Sequence, residues 1–224
     1  FSYTFTTGEK MNSQKINSSG SNKTFWLVGG IVAAIAVMAI VAIASQSGTD
    51  EVAQGVDEFH AVEVSGDVLP VYADGAADKA VGMTAPILTG AGFTGNKIVT
   101  TPGAPTLLVF LAHWCPHCQR EVPLLVQWNR DGLVPSGVDV IGVATSSDPA
   151  SPNFPPSEWL AREEFPALWP VMADSGEKTA ANAFGVSGFP FFVLLDSSGK
   201  VAFRGSGEIE MQVLTEIITK TLGV

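Results

Sequence analysis

The stretch His113-Trp114-Cys115-Pro116-His117-Cys118 holds both cysteines of the chain, three positions apart, with two of its three histidines beside them. Two thiols at this spacing support a cross-link, half of a metal site, or a reversible redox couple. A cross-link over so short a loop removes little entropy from the unfolded chain, so as a staple it is nearly useless. A structural zinc site wants four ligands, and one C-x-x-C supplies two. His113 and His117 flank the sulfurs where convergence on one ion is awkward, and His60 is remote in sequence. No metal is therefore expected, and the redox reading leads.

The residues around the pair suit that reading. Cys115 follows the apolar run Thr106–Leu111, TLLVFL, and opens a helix expected over Cys115–Asn129. At a helix N-terminus unpaired N–H groups and the helix dipole favour an anion, so the Cys115 thiol is expected to ionise below the value of about 8.5 for a free cysteine. Pro116 takes the first helical turn, where its missing N–H costs little. His117, when protonated, adds positive charge between the sulfurs. Cys115 is then the expected attacking and leaving sulfur, and Cys118, one turn on, the buried partner that closes the disulfide. Trp114 is expected to shield the site, His113 to be an exposed polar residue, and Pro123 to do no more than kink the helix.

The elements that position these residues read as an alternation of strands and helices. Thr106–Leu111, Val138–Ala144 and Phe191–Leu195 are continuous apolar runs, as in strands covered on both faces. Val201–Arg204 follows the turn Asp196-Ser197-Ser198-Gly199 and completes a hairpin. Helices are expected over Pro156–Glu164, Glu177–Phe184 and Glu208–Leu222, the last with an apolar stripe of Ile209, Val213, Ile217 and Leu222. The implied fold class is α/β, a mixed sheet with helices on both faces. Ala61–Val64 and Lys97–Thr100 are strand-like but unplaced. Ser146–Pro156, rich in proline, reads as a surface loop at the end of a core strand.

The chain has 224 residues and a formal net charge of −10, which disfavours nucleic acid as a partner. Residues 11–24 are polar, and residues 1–24 read as a disordered cytoplasmic N-terminus. Met11 is a candidate start of translation, and the ten residues before it carry no fold meaning. Residues 25–44, FWLVGGIVAAIAVMAIVAIA, carry no charge, and at helical rise they span roughly 30 Å, the thickness of a bilayer core. Lys10, Lys15 and Lys23 precede this span and acidic residues follow it, placing the N-terminus inside. The favoured reading is an uncleaved transmembrane anchor; the alternative is a signal peptide cleaved near Ala44. Residues 45–57 form a small, acidic linker, and residues 58–224 the domain with its N-terminal extension. A domain outside the membrane meets oxidising conditions.

Leu108 to Cys118, LVFLAHWCPHC, resembles the active-site strand and turn of the thioredoxin superfamily. Gln119-Arg120-Glu121-Val122-Pro123, the opening Val81-Gly82-Met83-Thr84-Ala85-Pro86 and the insertion after Ala144 resemble its membrane-anchored TlpA-like, redoxin-type branch. The resemblance implies a thioredoxin-like fold over about residues 80–224 and a cis-proline loop, here Gly188-Phe189-Pro190, facing the cysteines. The Phe189 backbone would then pair with an extended substrate peptide. Many members carry a carboxylate or Asn six residues before the first Cys; Val109 stands there, which leaves water or Glu121 to take the proton of Cys118. The insertion resembles the reductases of the branch, whereas Pro116-His117 resembles the oxidising DsbA-like enzymes.

The leading functional expectation is an extracytoplasmic thiol–disulfide oxidoreductase that exchanges disulfides with client proteins. It would use no cofactor beyond its own Cys115–Cys118 disulfide and would draw on a membrane or extracytoplasmic redox partner. A peroxiredoxin-like peroxidase is the alternative enzyme, against which Ala112 stands where such enzymes usually want Thr. A copper chaperone is the non-enzymatic alternative; related chaperones use a wider cysteine spacing.

Overall fold

The computed structural model describes residues 55–223. The expected cytoplasmic segment, the transmembrane anchor and most of the linker lie outside the described residues, among which no helix is long and apolar enough to cross a membrane.

Among the described residues, eight strands and four helices follow one another as β1 (Glu63–Ser65), β2 (Ile87–Ala91), β3 (Lys97–Val99), β4 (Thr106–Leu111), α1 (Pro116–Arg130), β5 (Asp139–Ala144), α2 (Pro156–Arg162), β6 (Val171–Ala173), α3 (Thr179–Ala183), β7 (Phe191–Leu195), β8 (Val201–Ser206) and α4 (Met211–Leu222). Strands β1, β2 and β3 form a small antiparallel sheet, and the main sheet runs β6-β5-β4-β7-β8. Within it β4, β5 and β6 are parallel, while β7 is antiparallel to β4 and β8 to β7. The sheet is thus mixed, as the sequence implies.

Burial on both faces explains why the central strands are apolar throughout. In β4 the side chains alternate: Leu108 and Phe110 join Ile141, Val143, Phe191 and Val193 in one core. Leu107, Val109 and Leu111 join Val140, Phe192 and Leu194 in the other. Ala180, Ala183 and Phe184, in and just after α3, and Leu69, Leu88 and Ile98 of the N-terminal segment close the first core. Val122, Leu125 and Trp128 of α1, Trp159 of α2 and Leu214 and Ile218 of α4 close the second. Trp128 also donates its indole N–H to Thr215 Oγ1 at 2.8 Å, pinning α1 to α4.

Several boundaries differ from the sequence reading. The last helix starts at Met211, not Glu208, after Gly207 with φ 90° and an extended Glu210. Ile209 therefore precedes the helix and cannot seed its apolar stripe: Leu214 and Ile218 are buried, and Val213 is 46% exposed. Helix α3 starts at Thr179 because Lys178 is left-handed. The buried Asp174 carboxylate accepts the N–H groups of Ala180 and Ala181 at 2.8 and 3.2 Å and caps that helix. Strands β2 and β6 escape a reading by apolar runs, being short and interrupted by Gly90 or bounded by Pro170 and Asp174.

One buried ion pair binds the N-terminal segment to the main sheet. The Arg204 guanidinium, fully buried on β8, donates to both Asp78 carboxylate oxygens at 2.9 and 2.5 Å and to the carbonyls of Pro70 and Phe184 at 2.9 and 2.8 Å. The pairing with Arg204 holds the Asp78 carboxyl below its ordinary value. Gly185 makes this crossing possible: it is left-handed, with φ 64°, and a Cβ there would lie 2.3 Å from the Pro70 carbonyl oxygen.

Breaking this pair leaves an uncompensated buried cation. Asp78→Ala is expected to cost roughly 3–5 kcal/mol in chemical denaturation. The wild-type contribution is present above the ordinary carboxylate value of 3.8 and fades as pH falls through the lowered folded value.

Candidate active site

The sulfurs sit where β4 ends and α1 begins. Cys115 is the N-cap of α1, with extended backbone (φ −75°, ψ 120°), and no side chain caps the first turn. Pro116 occupies the first turn and no acidic residue shares it, so the free N–H groups and positive end of the helix face the Cys115 side. Helix α1 runs on through Pro123 to Arg130.

Cys115 is 6% exposed and Cys118 fully buried; both are free thiols. Burial, first, pushes the Cys118 thiol far up, and the neighbouring Cys115 sulfur and the charge of Glu121 push it further; a backbone hydrogen bond from Ala112 opposes them. The two sulfurs are therefore unequal. Cys115 keeps a small exposed edge, and Cys118 keeps none and resists ionisation.

Glu121 is a buried acid close enough to Cys118 to act on it through its charge. It is completely buried one turn beyond Cys118; Oε1 accepts the N–H of Ile209 at 3.1 Å, and Oε2 has no hydrogen-bond partner. Burial raises its carboxyl to about 7, opposed by the Ile209 hydrogen bond and helped by Glu208 and Glu210. Val109, where many family members are expected to carry a polar group, is fully buried in the second core.

The loop expected opposite the cysteines is there. The Phe189–Pro190 bond is cis, and Cys115 Sγ lies 3.5 Å from the Phe189 carbonyl oxygen. Gly188 and Phe189 are half-buried and Pro190 is buried. The Trp114 and Phe189 rings meet edge to face at 6.1 Å. Trp114 donates its indole N–H to Ser146 O at 2.7 Å, which fixes the ring beside the sulfur.

His113 departs from expectation: it is 1% exposed. Its Nδ1 lies 2.7 Å from Pro152 O, and its Nε2 accepts the Asp148 N–H at 3.0 Å. The carbonyl can only accept, so Nδ1 carries the proton and the ring is neutral. The His113 ring meets Phe154 edge to face, and its own carbonyl accepts from Gln119 and Asn153. His113 thus holds the proline-rich loop against the site. Nothing in its one-letter context signals this, because its partners are backbone groups about 35 to 39 residues away.

His117 is exposed and lies 2.6 Å from Glu208 Oε1, which Arg120 also engages. Sequence reasoning missed Glu208, which the hairpin return of β8 delivers to the mouth of the site. Among the described residues no cluster of three or more His, Cys, Asp or Glu side chains is placed to hold a metal ion.

A C-x-x-C pair at a helix N-terminus, facing a cis-proline loop on a mixed five-stranded sheet, defines a thioredoxin-like protein. The chain belongs to the Redoxin family, whose model matches residues 80–217. It is 30% identical over 129 residues to the methylamine utilization protein MauD of Methylophilus methylotrophus, covering 56% of this chain and 55% of MauD. It is 29% identical over 120 residues to the thiol:disulfide interchange protein DsbE of Escherichia coli K12, covering 54% of this chain and 59% of DsbE. The chain thus spans little more than half the length of these curated relatives. In fold it is similar to the crystal structure of a thiol:disulfide interchange protein from Chlorobium tepidum, with a TM-score of 0.52, 24% identity, and coverage of 66% of this chain and 100% of that one.

Two outcomes test this geometry. His113→Ala is expected to speed hydrogen exchange at the Asp148 amide roughly fivefold, from about 1 kcal/mol of lost hydrogen bonding, while β5 amides keep their protection. The raised carboxyl of Glu121 makes the folded state bind a proton that the unfolded state releases, so its contribution to stability is complete below the ordinary value of 4.5 and is lost as pH rises through about 7. Denaturation midpoints across that window are expected to show this fall in wild type, worth at most about 3 kcal/mol, and to lack it in Glu121→Gln.

Proposed function

We propose that the chain is an extracytoplasmic protein thiol–disulfide oxidoreductase whose only redox group is the Cys115–Cys118 pair. The observation that carries the reading is the pairing of a slightly exposed sulfur at a helix N-terminus with a fully buried sulfur near a carboxyl that has one unpartnered oxygen, opposite the Gly188-Phe189-Pro190 loop. The redoxin membership and the similarity to a thiol:disulfide interchange protein support it.

In the reducing direction, a client peptide lies along Gly188–Phe189 with Trp114 as a wall. Cys115, as thiolate, attacks one sulfur of the client disulfide; that S–S bond breaks, and the other client sulfur leaves as a thiolate that takes a proton. Cys118 gives its proton to Glu121 and attacks the Cys115 sulfur of the mixed disulfide. The second client sulfur departs and is protonated in turn. The client gains two electrons and two protons, and the protein is left with a Cys115–Cys118 disulfide. A redox partner carrying a dithiol restores the reduced pair. Oxidation of clients is the same sequence reversed. A carboxyl near 7 suits Glu121 to both giving and taking that proton. Placement outside the membrane rests on the apolar span 25–44 and the lysines before it.

Cys118→Ser is expected to accumulate mixed disulfides with clients through Cys115, visible as thiol-sensitive adducts, whereas Cys115→Ser forms none. Adducts formed equally through Cys118 would overturn the assignment of the attacking sulfur. Equal loss of both kinds, with rapid consumption of hydrogen peroxide by wild type, would favour a peroxidase.

A further inference from the structure

We propose that Glu208 biases the couple toward the reducing end, acting as the counter-charge to His117 and Arg120 so that neither is free to hold Cys115 as an anion. This deepens the reading of Cys115 and Cys118 as a redox pair and rests on it.

The geometry is a single carboxylate oxygen gathering two basic groups, His117 and Arg120, at the mouth of the site. Glu208 Oε1 lies 2.6 Å from His117 Nδ1, 3.0 Å from Arg120 Nε and 2.5 Å from the terminal Nη2 of Arg120. Arg120 Nη2 is in turn 2.8 Å from His117 Nδ1. His117 stands between the two cysteines, and Arg120 two residues past the second. Hydrogen bonding to Glu208 holds the Arg120 guanidinium above its ordinary value, and the charge of Cys115 adds to the rise. Arg120 therefore senses the sulfur, and Glu208 competes for it. The same contacts with Arg120 and then His117 hold the Glu208 carboxyl below its ordinary value, so it is ionised wherever the exchange runs.

The sign follows from the redox equilibrium, protein disulfide plus two glutathione thiols giving protein dithiol plus glutathione disulfide. Any cation that stabilises the Cys115 thiolate stabilises the reduced protein and makes the couple more oxidising. The Pro116-His117 dipeptide on its own pushes that way. Glu208 opposes it by engaging His117 and neutralising Arg120, and so shifts the couple toward the reducing end. The other carboxylates near the mouth are Glu121, which is buried and bonded to Ile209, and Glu210, which acts on Glu121. Of the three, Glu208 is the one that touches His117 and Arg120.

The test is the equilibrium constant of the purified chain in glutathione buffers. Glu208→Gln is expected to raise the constant for disulfide reduction about threefold, about 15 mV toward oxidising by the roughly 30 mV per decade of a two-electron couple. Glu208→Asp keeps the charge and is expected to restore the wild-type value. Arg120→Gln is expected to lower the constant, and Glu208→Gln on that background to have a smaller effect. The cluster is half-exposed, so the shift is expected to shrink at 1 M salt, where the screening length is about 3 Å. Glu210→Gln, lacking contact with either base, serves as the control for loss of a nearby negative charge. A Glu208→Gln constant equal to or below wild type, or a Glu210→Gln shift as large, overturns the role of Glu208 while leaving the redox pair standing. A wild-type pair that never equilibrates with glutathione overturns both.

Discussion

The molecule depends on the burial of β4 on both faces. A strand with cores above and below cannot shift register without turning every side chain to the wrong side. That fixes the point at which the chain emerges at Ala112 and turns into α1. The same strand pairs with β7 through Phe110 and Phe191, so the residues just before β7, which include Gly188 and Phe189, must lie across from the emerging sulfur. The site is therefore a product of strand register: one constraint places Cys115 at a helix tip and the cis-proline loop in front of it.

Polar chemistry is then laid around the sulfurs in three tiers of solvent access. Outermost, Glu208, His117 and Arg120 form a charged rim. Beneath it, Cys115 touches the Phe189 carbonyl. Innermost, Cys118 and Glu121 are fully buried, and burial makes a thiol and a carboxyl both favour their neutral forms. The thiol is pushed up further than the carboxyl, so of the two the carboxyl is the one that ionises first as pH rises.

The central strands and the cysteine helix are legible in the sequence because continuous apolar runs and a proline at a helix start are local signals. Thr106–Leu111 and Phe191–Leu195 match the structure residue for residue. The short edge strands β2 and β6 are not legible, since their existence depends on partners far along the chain rather than on their own composition. His113 shows the limit most clearly. Its neighbours in sequence say polar and exposed, whereas two backbone groups from the loop after β5 satisfy both ring nitrogens and allow it to be buried. Glu121 was legible as a carboxyl of the right spacing, but its isolation from water was not. Glu208 was illegible as a site residue because only the path of β8 into α4 brings it there, and the same path moves the helix start and with it the apolar stripe.

The Arg204 guanidinium carries a consequence for where this fold begins. The part of the chain shared with its family starts at residue 80, yet the acid that neutralises Arg204 is residue 78, and the carbonyl crossing Gly185 belongs to residue 70. Further upstream, Glu58 caps the first turn of α2 through the Ser157 amide and hydroxyl. The fold thus reaches further upstream than the stretch that the family model matches. Residues 58–79 act as a girdle around the domain, and a fragment trimmed to residue 80 would carry a naked cation in its interior.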